Sequence, residues 1–344
     1  MLSETLDQYK EKRYQGIEAD FFTQSFAEWN KNFAAICEFW RAGLREAVAG
    51  AAAVQQETGA VCSYLSISLL LSSVYMGTPQ LQIDFFDETW FYGRPFYRHH
   101  VPADLFFSRW LAFTRQAEDE WYYRRSALRR TMIRTLYTGT LQQFVFSLAC
   151  NLKYWLADLD MDEVLQGLVI KVPFHLTMGE YLGAQKPVYA LLPEVDLLTS
   201  EDDVLSLHRF ERKIYRECMI GKRQLQLSRF IDCLFEPASF QHLDLRDTVF
   251  QNCRFHHVDF SEIKIAGSTW RNCIFEDCKF RLVTAEAAMD GEFYTPPLLD
   301  NCQFKHVQIE NCDLQGCILT DCVDYGLEFT DSQLDNSGWL DFGR

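Results

Sequence analysis

Between Ser228 and Val283 every fifth residue is large and apolar: Phe230, Phe235, Phe240, Leu245, Phe250, Phe255, Phe260, Ile265, Trp270, Phe275 and Phe280. Two positions before each stands Ser228, Cys233, Ala238, Leu243, Thr248, Cys253, Val258, Ile263, Ser268, Cys273 or Cys278. A helix repeats its faces about every 3.6 residues and a strand about every 2, so a period of five fits neither. Self-similarity at a short fixed period marks stacked coils that bury their apolar positions against one another, and parallel β-helices are the physical type. Charge tests the register: if both apolar positions point inward, charged residues belong only on the other three, because an unpaired buried charge is strongly disfavoured. Every Asp, Glu, Lys and Arg from Ser228 to Arg281 obeys this. From Cys302 to Leu334 the pattern returns shifted by one residue, centred on Phe304, Ile309, Leu314, Leu319, Phe329 and Leu334. One residue violates it. Asp324 falls on a centre and Tyr325 follows, which predicts a local bulge that turns Tyr325 inward and Asp324 out.

Seven units read cysteine, one spacer, then the centre: CLF, CRF, CIF, CKF, CQF, CDL and CIL. With a small residue two positions before Leu or Phe, the stretch from Cys218 to Leu334 resembles the pentapeptide-repeat family. The resemblance implies a right-handed quadrilateral β-helix with four pentapeptides per coil, here about five coils. The expected fold class is α plus β-solenoid. A mainly α-helical domain covers residues 1–199, and a connecting or capping helix covers 200–217. The β-helix covers 218–340, interrupted by a loop at about 284–298, where Gly291 and Pro296-Pro297 break the period and the register changes. The capping helix rests on Thr199 or Ser200 before Glu201-Asp202-Asp203, then Leu205, Leu207, Phe210 and Ile214.

The expected inward ladder comprises Phe230, Cys233, Phe235, Phe250, Cys253, Phe255, Cys273, Phe275, Cys278 and Phe280, then Cys302, Phe304, Cys312, Leu314, Cys317, Leu319 and Cys322. Nine of the twelve cysteines, these eight and Cys218, take the small inward position, where cysteine acts as a small hydrophobe. Four units make twenty residues, so Cys233, Cys253 and Cys273 should stack in successive coils, as should Cys302 and Cys322. Cys37, Cys62 and Cys150 have neither a CxxC partner nor a neighbouring histidine. His256, His257 and His306 point outward where Cys253 and Cys302 point in, so no metal site is expected.

Upstream, Phe22, Phe26, Trp29, Phe33, Ile36, Cys37 and Trp40 recur at helical steps, predicting one or two amphipathic helices over residues 3–50. Tyr64–Met76 reads as a buried helix, too short and too serine-rich for a membrane span. Gln80–Phe86 alternates like a strand. Trp90–His100 is dense in aromatics, arginine and histidine and suits either a packed loop or a stacking pocket. Pro102–Leu136 predicts one long helix with a basic stripe of Arg124, Arg125, Arg129, Arg130 and Arg134, read as a solvated face paired with Glu118, Asp119 and Glu120. Leu141–Leu159 predicts another helix, and Leu168–Leu192 holds strand-like pieces.

The net charge is −15, which disfavours direct binding to nucleic acid phosphates or anionic membranes. No secretory signal is visible at the N-terminus, so a cytoplasmic location is expected. From Ser228 to the end there are nine Lys and Arg against twenty Asp and Glu, a balance of −11, whereas Leu207–Leu227 is basic. The candidate interaction residues are therefore the outward acids Asp232, Glu236, Asp244, Asp247, Asp259, Glu262, Glu276 and Asp277, with Glu292, Phe293 and Tyr294 of the interrupting loop. No GxGxxG, phosphate loop, HExxH or GxSxG is present, so no catalytic or cofactor-binding residue is nominated and no cofactor is expected. The leading expectation is a non-enzymatic protein-interaction or scaffold protein with a protein partner, and homo-oligomerisation stays open. Two alternatives stand beside it. Some pentapeptide-repeat proteins protect or inhibit DNA gyrase by imitating DNA, which suggests a mimic that binds a type II topoisomerase. An enzyme or small-ligand binder in the N-terminal domain is the other.

Overall fold

The computed structural model describes residues 5–123, 128–285, 288–289, 292–293 and 295–341, and divides into two compact units, 1–189 and 190–344. The N-terminal unit has the expected helical region, with helices at Gln15–Lys31, Phe33–Thr58, Trp110–Tyr123 and Arg130–Ala157. The second ends on Gly59, whose φ of 73° supplies the left-handed cap that glycine adopts without strain. Their aromatic faces meet in one core, where the Trp29 ring lies 5.1 Å from Phe144 and 5.7 Å from Trp155, and Phe106 lies 5.6 Å from Trp40. No helix among the described residues is long and apolar enough to cross a membrane.

Between the helices lies a five-stranded sheet: β1 (Cys62–Leu69), β2 (Gln80–Phe86), β3 (Tyr97–Pro102), β4 (Ile170–Glu180) and β5 (Gln185–Leu191), in the order β3-β2-β1-β4-β5. The helix expected over Tyr64–Met76 is instead β1 followed by a short helix at Leu71–Tyr75. The serines explain the difference. Ser66 and Ser68 alternate with Leu65, Ile67 and Leu69, a period of two, but all five are buried, so the strand reads as one continuous apolar run. Thr177 Oγ1 and Ser66 Oγ both donate to Gln185 Oε1, while Gln185 Nε2 donates to Ser68 Oγ, so the buried hydroxyls are satisfied. The single helix expected over Pro102–Leu136 is also corrected. It divides into Asp104–Phe107, Trp110–Tyr123 and a third helix that starts at Arg130 and runs through the predicted Leu141–Leu159 segment to Ala157.

The C-terminal unit is a stack of short parallel strands, pairing with residues twenty positions away except across one insertion. Phe210, Phe230, Phe250 and Trp270 are successive partners, as are Phe235, Phe255 and Phe275. Rings at equivalent positions lie 5.0 Å apart from Phe235 to Phe255 and again from Phe255 to Phe275, close to the strand spacing of about 4.8 Å. The strand ladder therefore sets the column of rings. Rings on adjoining faces meet edge to face instead, Phe235 against Phe240 at 87°.

The small position is a hydrogen-bonding position as well. Cys233, Cys253 and Cys273 each direct Sγ at the carbonyl 23 residues earlier, on Phe210, Phe230 and Phe250. Ser228 and Thr248 make the same contact at 2.7 Å to Leu205 and Leu225. The column of cysteines and the neighbouring column of Ser228 and Thr248 thus make the same contact, so a thiol or a hydroxyl serves equally as the small inward donor. The expected ladder residues are buried, except Phe280, Leu319 and Cys322, which are half-buried.

Three expectations about this unit change. No helix forms over 200–217: parallel pairing begins at Val204 with Gln224, and strands run at Arg209–Glu211 and Ile214–Tyr215. Leu205, Phe210, Tyr215, Ile220 and Leu225 carry the five-residue register upstream, and all five are buried. The bulge at Asp324 is absent too. Asp324 pairs in register with Phe304 and Tyr325 with Lys305, leaving Tyr325 56% exposed. Asp324 is tolerated because its carboxylate accepts from the Gly326 and Leu327 amides at 2.7 and 2.8 Å. Finally, the loop shortens. Thr284 pairs with Asp313 and Ile274 with Gln303, an offset of 29 instead of 20. Gly267 N donates to Thr295 O, so nine extra residues enter between Ala285 and Thr295. Within them Ala288–Met289 pairs antiparallel with Glu292–Phe293. At the far end, Trp339 packs its ring 5.1 Å from Phe304 and 5.9 Å from Phe329.

Phe255 lies in the middle of a ring column, so Phe255→Ala should cost about 3–5 kcal/mol in denaturant unfolding, and Phe255→Leu much less. Burial pushes the Cys278 and Cys317 thiols up to about 12 and Cys312 to about 11. At pH 8 iodoacetamide should therefore spare these three in the native protein and label them after denaturation, as read by peptide mass spectrometry. Above the unfolded thiol value of about 8.5 the unfolded chain sheds protons that the folded one keeps, so each such thiol lowers stability by up to about 1.4 kcal/mol per pH unit.

Candidate functional site

The outer wall of the repeat is built by its corners. Two residues after most centres the backbone enters the left-handed region: Asp232 (54°), His242 (53°), Asp247 (59°), Asn252 (55°), His257 (52°), Glu262 (52°), Gly267 (71°), Asn272 (52°) and Asp277 (52°), with Leu207, Leu227 and Leu282 taking the same turn and Pro237 after Phe235 the exception. Asn, Asp, His and Gly are the residues that tolerate this conformation best, so the turn itself selects for polar, ligand-capable side chains. The sequence carries that signal in plain view, and reading only the two inward positions misses it. Because the coil repeats after twenty residues, corner residues stand in columns. Asn252 Nδ2 donates to Asp232 Oδ1 at 2.9 Å, Asn272 to Asn252 at 3.0 Å, and Asn301 to Asn272 at 2.8 Å, forming an amide ladder up one corner.

The eight nominated acids of the wall are not equivalent. Asp232, Glu262 and Asp277 are exposed, and Glu236, Asp259 and Glu276 are half-buried. Asp244 is withdrawn into the wall, accepting from Arg246 Nε and Gln226 Nε2 at 2.8 Å each, and Asp247 is only 8% exposed. Asp259 is paired with Arg281, and Glu262 lies 3.0 Å from His242 Nδ1. Asp244 and Asp259 are thus each paired with an arginine, while Asp232 is exposed. Of the loop residues, Glu292 and Phe293 are described only through their backbone pairing, and Tyr294 lies outside the described residues.

One face differs from the acidic picture. Ile214, Leu234, Arg254, Ile274, Gln303 and Val323 follow one another across the strand stack, with Ile214 60% and Val323 41% exposed. Beside them runs Glu236, His256, Glu276, Lys305 and Tyr325. Leu234, Glu236, Arg254, His256, Ile274, Glu276 and Lys305 line a shallow depression of about 410 Å³. At its edge the His257 and Asp277 corners meet, and there His256, His257 and Asp277 place their ligand atoms within 4.8 Å of one another.

In the N-terminal unit the Trp90–His100 segment lies partly in a helical turn at Trp90–Tyr92 and partly in β3. Phe91, Gly93, Arg94, Pro95 and Arg98 line a cavity of about 420 Å³ with Asp84, Phe86, Tyr181 and Leu182. Arg98 donates to both oxygens of the buried Asp84, at 2.7 and 3.1 Å, so its charge is used within the protein. His99 and His100 diverge, His99 lying 4.0 Å from Glu46 and His100 3.3 Å from Gln82. Of the basic stripe, Arg130 pairs with Glu118 at 2.8 Å, while Arg124 and Arg125 lie outside the described residues. Arg134 lines a different cleft, of about 870 Å³, with Tyr75, Asp104, Trp110, Glu118 and Tyr137. The aromatic segment and Arg134 thus line separate cavities.

Residues 213–288 match the family model described as the pentapeptide repeat region. No curated protein matches. Among solved structures, a trypsin-treated form of QnrB1, a plasmid-mediated fluoroquinolone resistance protein, aligns at 17% identity over 41% of this chain and 88% of its own, with a TM-score of 0.26. HetL, a pentapeptide repeat protein involved in heterocyst differentiation regulation from the cyanobacterium Nostoc, aligns at 8% identity over 40% of this chain and 89% of its own, with a TM-score of 0.18. Rfr23, a pentapeptide repeat protein from the cyanobacterium Cyanothece, aligns at 12% identity over 39% and 92%, with a TM-score of 0.14. With the twenty-residue ladder and the family match falling on the same residues, the C-terminal part of this chain is a pentapeptide-repeat region.

Proposed function

We propose that the chain is a non-enzymatic protein-interaction protein that presents the outer wall of its repeat, and the insertion between Ala285 and Thr295, to a protein partner. The observation that carries this reading is the face of Ile214, Leu234, Ile274, Val323 and Tyr325, aliphatic and aromatic side chains held outward beside Glu236, Arg254, Glu276 and Lys305. A flat strand face with apolar anchors among charges of both signs has the composition of a protein interface. Twenty-residue pairing offsets, with four pairings in each repeat, support a right-handed quadrilateral coil of four pentapeptides, about five coils from Cys218 onward. The nominated acids enter this reading as rim charges, Asp232, Glu236, Glu262 and Glu276 foremost, which set specificity and association rate more than affinity.

The second reading, a DNA mimic for a type II topoisomerase, rests on the balance of −11 from Ser228 to the end. The pairing of Asp259 with Arg281 and the withdrawal of Asp244 weaken it, because a mimic needs unpaired carboxylates in rows. An active site in the N-terminal unit has the least support, since Arg134 of the basic stripe and the aromatic segment line different cavities.

Affinity capture from the native cell should return a protein partner that the double variant Ile214→Asp/Glu236→Arg binds at least about tenfold more weakly, with an unchanged melting temperature. Undiminished capture by that variant would move the interface elsewhere. A gyrase supercoiling assay separates the readings: the interaction reading expects no effect at high protein concentration, and dose-dependent inhibition or protection would establish the mimic.

A further inference from the structure

We infer that the corner formed by His256, His257 and Asp277, with His306 of the following coil facing the second oxygen of Asp277, is a binding site for a divalent transition-metal ion of the zinc type. His257, Asp277 and His306 occupy the same corner in consecutive rungs. Their neighbours Phe255, Phe275 and Phe304 are ladder partners, and the His257 and Asp277 amides donate at 3.0 and 2.9 Å to the rungs that follow them. The Asp277 carboxylate lies between imidazoles. Its Oδ2 is 3.8 Å from His257 Nδ1 and 4.0 Å from His256 Nε2, and its Oδ1 is 3.4 Å from His306 Nδ1. The His256 and His257 rings are themselves 4.0 Å apart between centroids.

The ligand atoms of His256, His257 and Asp277 all lie within 4.8 Å of one another. Donors bound at about 2.0–2.1 Å to a tetrahedral zinc stand about 3.3 Å from one another, so the 3.8 and 4.0 Å distances to Asp277 Oδ2 have to close by somewhat more than half an ångström on binding. Two imidazoles and one carboxylate, with the remaining position left to water at a corner this exposed, suit zinc, cobalt and nickel. The flanking charges, Glu276 and Lys305, are opposite in sign and are ladder partners, so the wall around the site is close to neutral.

The geometry follows from the fold. The left-handed backbone at 52° on all three corner residues favours His and Asp, and the twenty-residue coil superimposes them. Setting the histidines aside because Cys253 and Cys302 face the interior overlooks Asp277, which arrives from the next coil.

The test uses the full-length protein, stripped with chelator and kept reduced. Titration with Co²⁺ should give the visible bands of a tetrahedral site at one equivalent, without the thiolate-to-metal charge transfer that the buried cysteines would produce. Zn²⁺ should displace it and raise the melting temperature. Asp277→Asn and the double variant His257→Asn/His306→Asn should weaken binding by at least about tenfold while leaving the metal-free melting temperature unchanged. Asparagine is chosen because it tolerates the left-handed corner, so loss of binding cannot be mistaken for misfolding. Binding that survives both variants, binding with a thiolate charge-transfer band, or no binding at millimolar zinc would each overturn the assignment.

Discussion

Parallel hydrogen bonding between successive coils is the constraint on which the C-terminal unit depends. Because each rung is bonded to the next at a fixed spacing of about 4.8 Å, every position in the coil is repeated at that distance by the residue twenty places on. Nothing in the interior can then be chosen alone. A phenylalanine at Phe255 requires something flat or small at Phe235 and Phe275, and a thiol at Cys253 must find its carbonyl on Phe230. The five-residue period is the trace of this congruence, since it is the shortest unit that buries two side chains, turns a corner and begins again.

The same congruence governs the outside. Inward positions are sealed, so chemistry is confined to the three outward ones, and the left-handed turn narrows one of these to Asn, Asp, His and Gly in most units. The wall is therefore a lattice of polar side chains at strand spacing. Some columns spend their groups on one another, as the ladder from Asp232 to Asn301 does, and some bring imidazoles against a carboxylate, as His257, Asp277 and His306 do.

How much of this is legible from residues depends on how local its cause is. The ladder from Phe230 to Phe280 and its continuation at Phe304 are legible because each coil imposes the same two inward positions. The first coil is not, because Leu207 and Ile214 fall at helical steps among Leu205, Phe210 and Tyr215, and two periods compete over a short stretch. β1 is misread because a strand covered on both faces loses its alternation, and only Ser66 and Ser68, paired through Gln185, disclose it. Asp324 is misjudged for a different reason: whether a carboxylate can occupy an inward position turns on the amides of Gly326 and Leu327 two and three residues on. Among the nominated acids, the division between exposed Asp232 and withdrawn Asp244 depends on the lateral partners Arg246 and Gln226, which no single period announces.

The nine-residue insertion between Ala285 and Thr295 leaves the ladder and rejoins it in place, so that Ile274 still meets Gln303 and Lys279 still meets Gln308. Distance along the chain and distance along the stack are thereby uncoupled at this one corner. A lineage can lengthen, shorten or exchange the segment there without rewriting a single interior residue, which makes the corner the natural port through which such a scaffold acquires new specificity while its core stands still.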